Sequence, residues 1–133
     1  MAKTFDLKIV ASDKPFYMGP CELLIIPAID GEMGIMAGHE STVTTTHPGE
    51  LRYQIEGVWH NAAVTEGFVE IMPEYVNLLV DAAELPEEID VKRAELAKAR
   101  AQEKLRQRQS MKEYYHTQAA LARAMARLKV TKK

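Results

Sequence analysis

Five residues in this 133-residue chain have the types and spacing to grip a polyanion: Asp90, Arg93, Arg100, Arg123 and Arg127. An arginine presents a planar fork of donors that matches phosphate oxygens, so arginines converging from two helices would make an anion site. At about 100° per residue, Asp90, Arg93 and Arg100 share a helix face with Ala94 and Ala97. Arg123 and Arg127 are four apart and share a second face with His116 and Ala120. Folding back about Ser110 would bring Arg93 towards Arg127, and Arg100 towards Arg123. Four guanidinium groups in one place repel unless an anion sits among them. An Asp and an Arg three apart on a helix also form an ordinary solvated pair worth roughly 0.2–0.5 kcal/mol, and paired arginines also coat exposed faces. Spacing alone leaves both readings open.

Other chemistry finds no support. His39-Glu40 begins like a zinc-protease helix, but position 43 is Val. Gly34 to His39 lacks the Lys-Ser/Thr of a phosphate loop. His39, His47, His60 and His116 have no metal-ligand spacing, so no structural metal is expected. No Ser-His-Asp arrangement presents itself, and the chain reads as a non-enzyme. The single cysteine, Cys21, excludes an intrachain disulfide and sits among Leu23, Leu24, Ile25 and Ile26, as a buried thiol would. No apolar run approaches the roughly 18–20 residues that cross a bilayer, and the N-terminus has no signal-peptide pattern.

The arginines depend on helices, and the chain has them on one side only. Every glycine and proline lies before Glu87, while Glu87 to Lys133 is rich in Ala, Lys, Arg, Glu and Gln. The fold class is therefore α+β in two parts: residues 1–85 an antiparallel β-sandwich, residues 86–133 a helical hairpin. Charge divides at the same place. The first part carries four Lys/Arg against thirteen Asp/Glu, the second thirteen against six. Phe5, Leu7, Ile9 and Ala11 alternate as one face of a strand. Cys21 to Ile26 reads as a second strand, and Ile29-Asp30-Gly31-Glu32 and Gly34 to Gly38 as turns. Further strands are expected at Thr42–Thr46, Leu51–Ile55, Val58–Thr65, Phe68–Met72 and Tyr75–Val80, with a hairpin turn at Glu56-Gly57. Pro86-Glu87-Glu88 suits the first turn of a helix running to about Gln109. Ser110, with Glu113 three residues on, suits the cap of a second helix to about Val130. The expected seam is Ala94, Ala97 and Ala101 against Ala119, Ala122 and Ala126, with Leu121, Met125 and Leu128 alongside. Such a seam buries little area, so the hairpin should be marginal.

Asp30-Gly31-Glu32-Met33-Gly34-Ile35, Gly38-His39, Pro48-Gly49-Glu50-Leu51-Arg52, Val69-Glu70-Ile71 and Ile89-Asp90-x-x-Arg93-Ala94 stand in this order along nearly the full chain. In this order and spacing the chain resembles the epsilon subunit of bacterial F-type ATP synthase. It departs at Glu66-Gly67, where many relatives have two glycines, which puts the local turn geometry in question. The resemblance implies a ten-stranded sandwich and a helical hairpin in a non-catalytic rotor subunit. That subunit would be peripheral at the cytoplasmic face of the cell membrane. Its sandwich would dock on the gamma subunit and the c-ring, with the loop around Glu32 and His39 facing the ring. Its helices would either fold onto the sandwich or extend into the alpha-beta catalytic head and inhibit ATP hydrolysis. ATP is the regulatory ligand implied for the folded hairpin, at Glu84, Ile89, Asp90, Arg93, Ala94, Arg100, Arg123 and Arg127. A coupling subunit whose hairpin ignores nucleotide is the competing reading. A basic-tailed nucleic-acid binder and an autonomous ATPase find little in the residues.

Overall fold

The computed structural model describes residues 3–12, 14–107 and 110–132. Among these, ten strands form two five-stranded sheets that face one another. The strands are β1 (Phe5–Ala11), β2 (Lys14–Cys21), β3 (Leu23–Ala28), β4 (Gly31–Met36), β5 (Thr42–Thr46), β6 (Gly49–Ile55), β7 (Val58–Val64), β8 (Gly67–Ile71), β9 (Tyr75–Val80) and β10 (Ala83–Glu84). One sheet runs β2-β1-β9-β8-β5 and the other β10-β7-β6-β3-β4. The pairings are antiparallel except that of β1 with β9, which is parallel and aligns Leu7 with Val76 and Ile9 with Leu78.

The period-two pattern explains the core. Phe5, Leu7 and Ile9 of β1 point inward with Val69 and Ile71 of β8 and Val76 and Leu78 of β9. Leu24, Ile26, Ile35, Leu51 and Tyr53 of the facing sheet meet them, and all these side chains are buried. Glu56 and Gly57 both have positive φ, 49° and 78°, as a two-residue hairpin turn with the right-handed twist of its strands requires.

One strand contradicts the sequence reading, and a second has no counterpart in it. Gly31–Met36 is strand β4 and not a pair of turns; the turns lie at 29–30 and 37–38, with Gly38 at φ +82°. Lys14–Cys21 is strand β2, although it contains Pro15, Gly19 and Pro20. Both lie at sheet edges, where a missing donor or side chain breaks no central ladder.

The helical part also starts differently. Pro86–Glu88 is a separate 3₁₀ turn, in which the Glu88 carboxylate accepts from the Leu85 N–H at 2.9 Å. Helix α1 is Val91–Arg106, so Asp90 is its cap and not a member of its face. Gln109, the expected end, lies outside the described residues, and α1 closes at Arg106. Helix α2 is Met111–Thr131, opened by Ser110 as expected: its Oγ accepts from the Glu113 N–H at 3.2 Å. The two helices pack on one another, and α2 lies along β6 and β7, so the arm is folded down. The seam is shifted from expectation. Ala94 and Ala101 are buried, but on α2 the buried residues are Thr117, Ala124, Ala126 and Val130, while Ala119 and Ala122 are only half-buried. The Thr117 hydroxyl lowers the cost of burial by donating to the Glu113 carbonyl at 2.8 Å. No helix among the described residues is long and apolar enough to cross a membrane.

Candidate functional site

A cavity of about 460 Å³ opens where the sandwich, the 3₁₀ turn and both helices meet, lined by Glu84, Glu88, Asp90, Arg93, Ala94, Leu96, Ala97, Arg100 and Arg127. The start of α1 and the end of α2 thus adjoin, as an antiparallel hairpin places them. Six of the eight residues expected at a nucleotide site line this cavity; Ile89 and Arg123 do not.

Each lining residue is held by a local cause. Glu84 comes from β10, a two-residue strand paired with β7. Asp90 is in extended conformation, and its Oδ1 accepts from the Arg93 backbone N–H at 3.1 Å. That bond takes up one of the free donors at the helix start and settles the pairing question: Asp90 serves the Arg93 backbone, not its guanidinium. The guanidinium groups of Arg93 and Arg100 make no hydrogen bond or ion pair among the described residues. Arg127 differs. Its Nε donates to Glu84 Oε1 at 2.6 Å, with both side chains about two-thirds covered, at 32% and 30% exposure. The cavity therefore presents two guanidinium groups without a direct ion pair among the described residues and one paired with a carboxylate. Glu88 and Asp90 add acceptors at its rim. An anion suits the first pair, and donors of a sugar or base suit the rim.

Ile89 ends the 3₁₀ turn, its N–H donating to the Pro86 carbonyl at 3.2 Å, and is half-buried away from the cavity. Arg123 lies beside Glu66, Nη1 to Oε2 3.6 Å. Arg100 and Arg123, expected to approach each other from their distances about Ser110, do not meet in this cavity. Instead Arg100 also reaches a neighbouring groove with Ala101, His116, Thr117 and Ala120. Sequence reasoning missed Glu88, Leu96 and Glu66. Leu96 is three residues after Arg93 and legible by helical spacing, whereas Glu66 carries no local signal.

A larger cavity, about 610 Å³, separates α2 from the edge of the sandwich near Pro27, His47 and Pro48. It contains no arginine, so size and chemistry point to different places, and the chemistry is at the smaller one. Lys98 lines this larger cavity, off the arginine face.

The residues expected to face a ring of subunits fall at opposite ends of β4. Glu32, near the start, is exposed, and the Arg52 Nη2 donates to both its carboxylate oxygens at 2.9 and 2.8 Å. Its orientation is thus fixed before any partner arrives. His39 follows the turn after β4, with Nδ1 donating to the Glu40 carbonyl at 2.7 Å.

Residues 4–86 match the family model for the beta-sandwich domain of the ATP synthase delta/epsilon chain. Residues 87–132 match the model for its long alpha-helix domain. The ATP synthase epsilon chain of Ruminiclostridium cellulolyticum is 48% identical over 96% of each chain. That of Caldanaerobacter subterraneus is 42% identical over 100% of this chain and 97% of its own. Among solved structures, a chain of the Euglena gracilis mitochondrial ATP synthase (OSCP/F1/c-ring) superposes with a TM-score of 0.82 at 26% identity, over 92% of this chain and 78% of that one. A chain of the Tetrahymena thermophila mitochondrial ATP synthase central stalk and c-ring shares the fold, with a TM-score of 0.72 at 12% identity over 98% of each. The chain belongs to the ATP synthase delta/epsilon chain family, as one of its epsilon chains and a non-catalytic subunit of the synthase.

Proposed function

We propose that this subunit couples gamma to the c-ring through its sandwich, at the cytoplasmic face of the membrane, and restrains ATP hydrolysis through its helical arm, with ATP as the ligand that keeps the arm folded. The observation that carries the nucleotide reading is the convergence of Arg93, Arg100 and Arg127 on one cavity, the first two with no direct ion pair among the described residues. A volume of about 460 Å³ falls within the range of small-molecule sites. The phosphates would lie against the guanidinium groups, and the ribose and base towards Glu84, Asp90 and Ala94. ATP bound only to the folded arm stabilises that state by RT ln(1 + [L]/Kd), about 2.7 kcal/mol at a hundredfold excess over Kd. High ATP would then hold the arm down, and low ATP would release it towards the alpha-beta head.

Calorimetric titration of the isolated subunit with ATP tests this. Binding is expected, with Arg93→Ala or Arg127→Ala weakening it by tenfold or more, about 1.4 kcal/mol. Lys98→Ala should change little. Absence of heat from the parent would leave the arginines as a solvated face and favour the arm that ignores nucleotide.

Three surfaces support the partner assignments. Val43, Phe68 and Leu79 expose large apolar side chains on the first sheet, with Phe68 and Leu79 directly paired across β8 and β9. A patch of this kind suits a permanent dock such as gamma. Glu32 and the His39 turn are the candidates for the c-ring. The arm in turn presents Lys104 and Arg106 from the last turn of α1; Arg108 belongs to the same basic run but lies outside the described residues. These charges suit an acidic surface in the catalytic head. Neutralising all three should relieve inhibition of ATP hydrolysis in the reconstituted complex, and unchanged rates would exclude a charge-guided entry.

A further inference from the structure

Arg123 and Arg127 lie one helical turn apart on the same face of α2, yet only Arg127 lines the arginine cavity. Arg123 instead lies 3.6 Å from Glu66. We propose that Glu66 is a built-in competitor for the nucleotide phosphates, holding Arg123 out of the cavity until the ligand displaces it. This rests on the nucleotide reading of that cavity.

The backbone around Glu66 explains how a surface carboxylate can act at a fixed point. Glu66 lies in the exposed connection between β7 and β8. Its carbonyl accepts from the Asp81 N–H at 3.2 Å. Thr65 before it is buried, with Oγ1 accepting from the Ala82 N–H at 2.9 Å. Gly67 after it admits no side chain, because a Cβ there would strike the Leu79 carbonyl and Val80. The turn is thereby pinned on both sides, and position 66 carries its exposed side chain. The departure noted at Glu66-Gly67 leaves the required glycine in place and adds a charge beside it.

The pair is suited to being displaced. At 3.6 Å it is an ion pair without a hydrogen bond, and the side chains are 35% and 47% exposed. A phosphate group offers more charge and a bidentate geometry, so it outcompetes a single loose carboxylate for a guanidinium. The Arg127–Glu84 contact, at 2.6 Å and better covered, is the tighter of the two. Arg123 is therefore the arginine that would be recruited upon binding.

The competing explanation is that Glu66 merely helps dock the arm. The two predict opposite signs. A docking residue, when neutralised, loosens the folded arm and weakens ATP binding; a competitor, when neutralised, strengthens it. Titration with ATP of the full chain and of Glu66→Gln, Arg123→Ala, the double variant and Glu70→Gln decides between them. Glu66→Gln should bind about two- to five-fold more tightly, the range of an exposed ion pair. The gain should vanish in the Arg123→Ala background. Glu70, whose carboxylate accepts from Asn77 Nδ2 at 2.9 Å, controls for loss of a negative charge as such. Equal or weaker binding by Glu66→Gln, a gain that survives loss of Arg123, or an equal gain from Glu70→Gln overturns the proposal while leaving the nucleotide site standing. A parent chain that binds no ATP overturns both.

Discussion

The sandwich and the arm are built from different kinds of contact. Leu7, Ile9, Leu24, Ile26, Ile35, Leu51, Ile71 and Leu78 of the sandwich are fully buried, and each removes a whole aliphatic side chain from water. At roughly 25 cal/mol per Å² this is where the chain's stability is concentrated. The arm buries Ala94, Ala101, Thr117, Ala124, Ala126 and Val130, only one of which is larger than threonine. Among the described residues its polar contacts with the sandwich include the Arg127–Glu84 ion pair and the Asn61 amide donating to the Val130 carbonyl at 3.4 Å, with the looser Arg123–Glu66 contact beside them. The lesson is that a single chain can join a permanent body to a part that leaves it at modest cost. The composition of the seam, more than its length, sets that difference.

The comparison breaks first at the core. Leu24→Ala should destabilise the sandwich by about 2–5 kcal/mol, read as a lower denaturation midpoint with the arm unfolding alongside. A loss below 1 kcal/mol would mean that the sheets do not carry the stability assigned to them. Next is the seam. Ala124 is fully buried, and Ala124→Leu should force the helices apart at about 1–3 kcal/mol. Hydrogen exchange should quicken in α1 and α2 and stay unchanged in β1, β8 and β9. Exchange that quickens throughout would show one cooperative unit instead of two.

The smallest effect concerns alkaline pH. Burial pushes the Cys21 thiol above its ordinary value of 9.0 and the Tyr53 phenol above 10.0. In Cys21, hydrogen bonds with the backbone of Gln54 and Leu23 offset part of that rise, and the charge of Glu22 adds to it. Because the folded values are the higher ones, the sandwich keeps the full contribution below pH 9. It loses that contribution as pH rises through 9 and 10 towards the folded values. Both groups lie in the sandwich, so its unfolding midpoint should fall in this window, and labelling of Cys21 should track sandwich opening and not arm release. Rapid labelling of native protein at pH 8 would contradict the buried thiol.

Much of this was legible in the residues because it depends on local rules. Glycine and proline stop at Pro86, so sheet precedes helix. Phe5, Leu7 and Ile9 alternate, so β1 has an inner face. Ser110 and Glu113 have capping spacing, and Glu56-Gly57 has the chemistry of its turn. Strands β2 and β4 were not legible. Their prolines and glycines signal breaks, and only their places at sheet edges make those residues tolerable. The parallel pairing of β1 with β9 is likewise a matter of which strands end up adjacent, which side-chain alternation does not encode.

The site divides in the same way. Arg93, Ala94 and Arg100 were placed together by helical spacing, because neighbours on one helix are set by its pitch, whereas Asp90 joins them as the cap. Which residue each arginine faces was decided only by packing. The two-residue strand β10 delivers Glu84 to Arg127, and the β7–β8 turn delivers Glu66 to Arg123. Both carboxylates are distant in sequence from their partners, and a long side chain goes to the nearest opposite charge that the fold supplies.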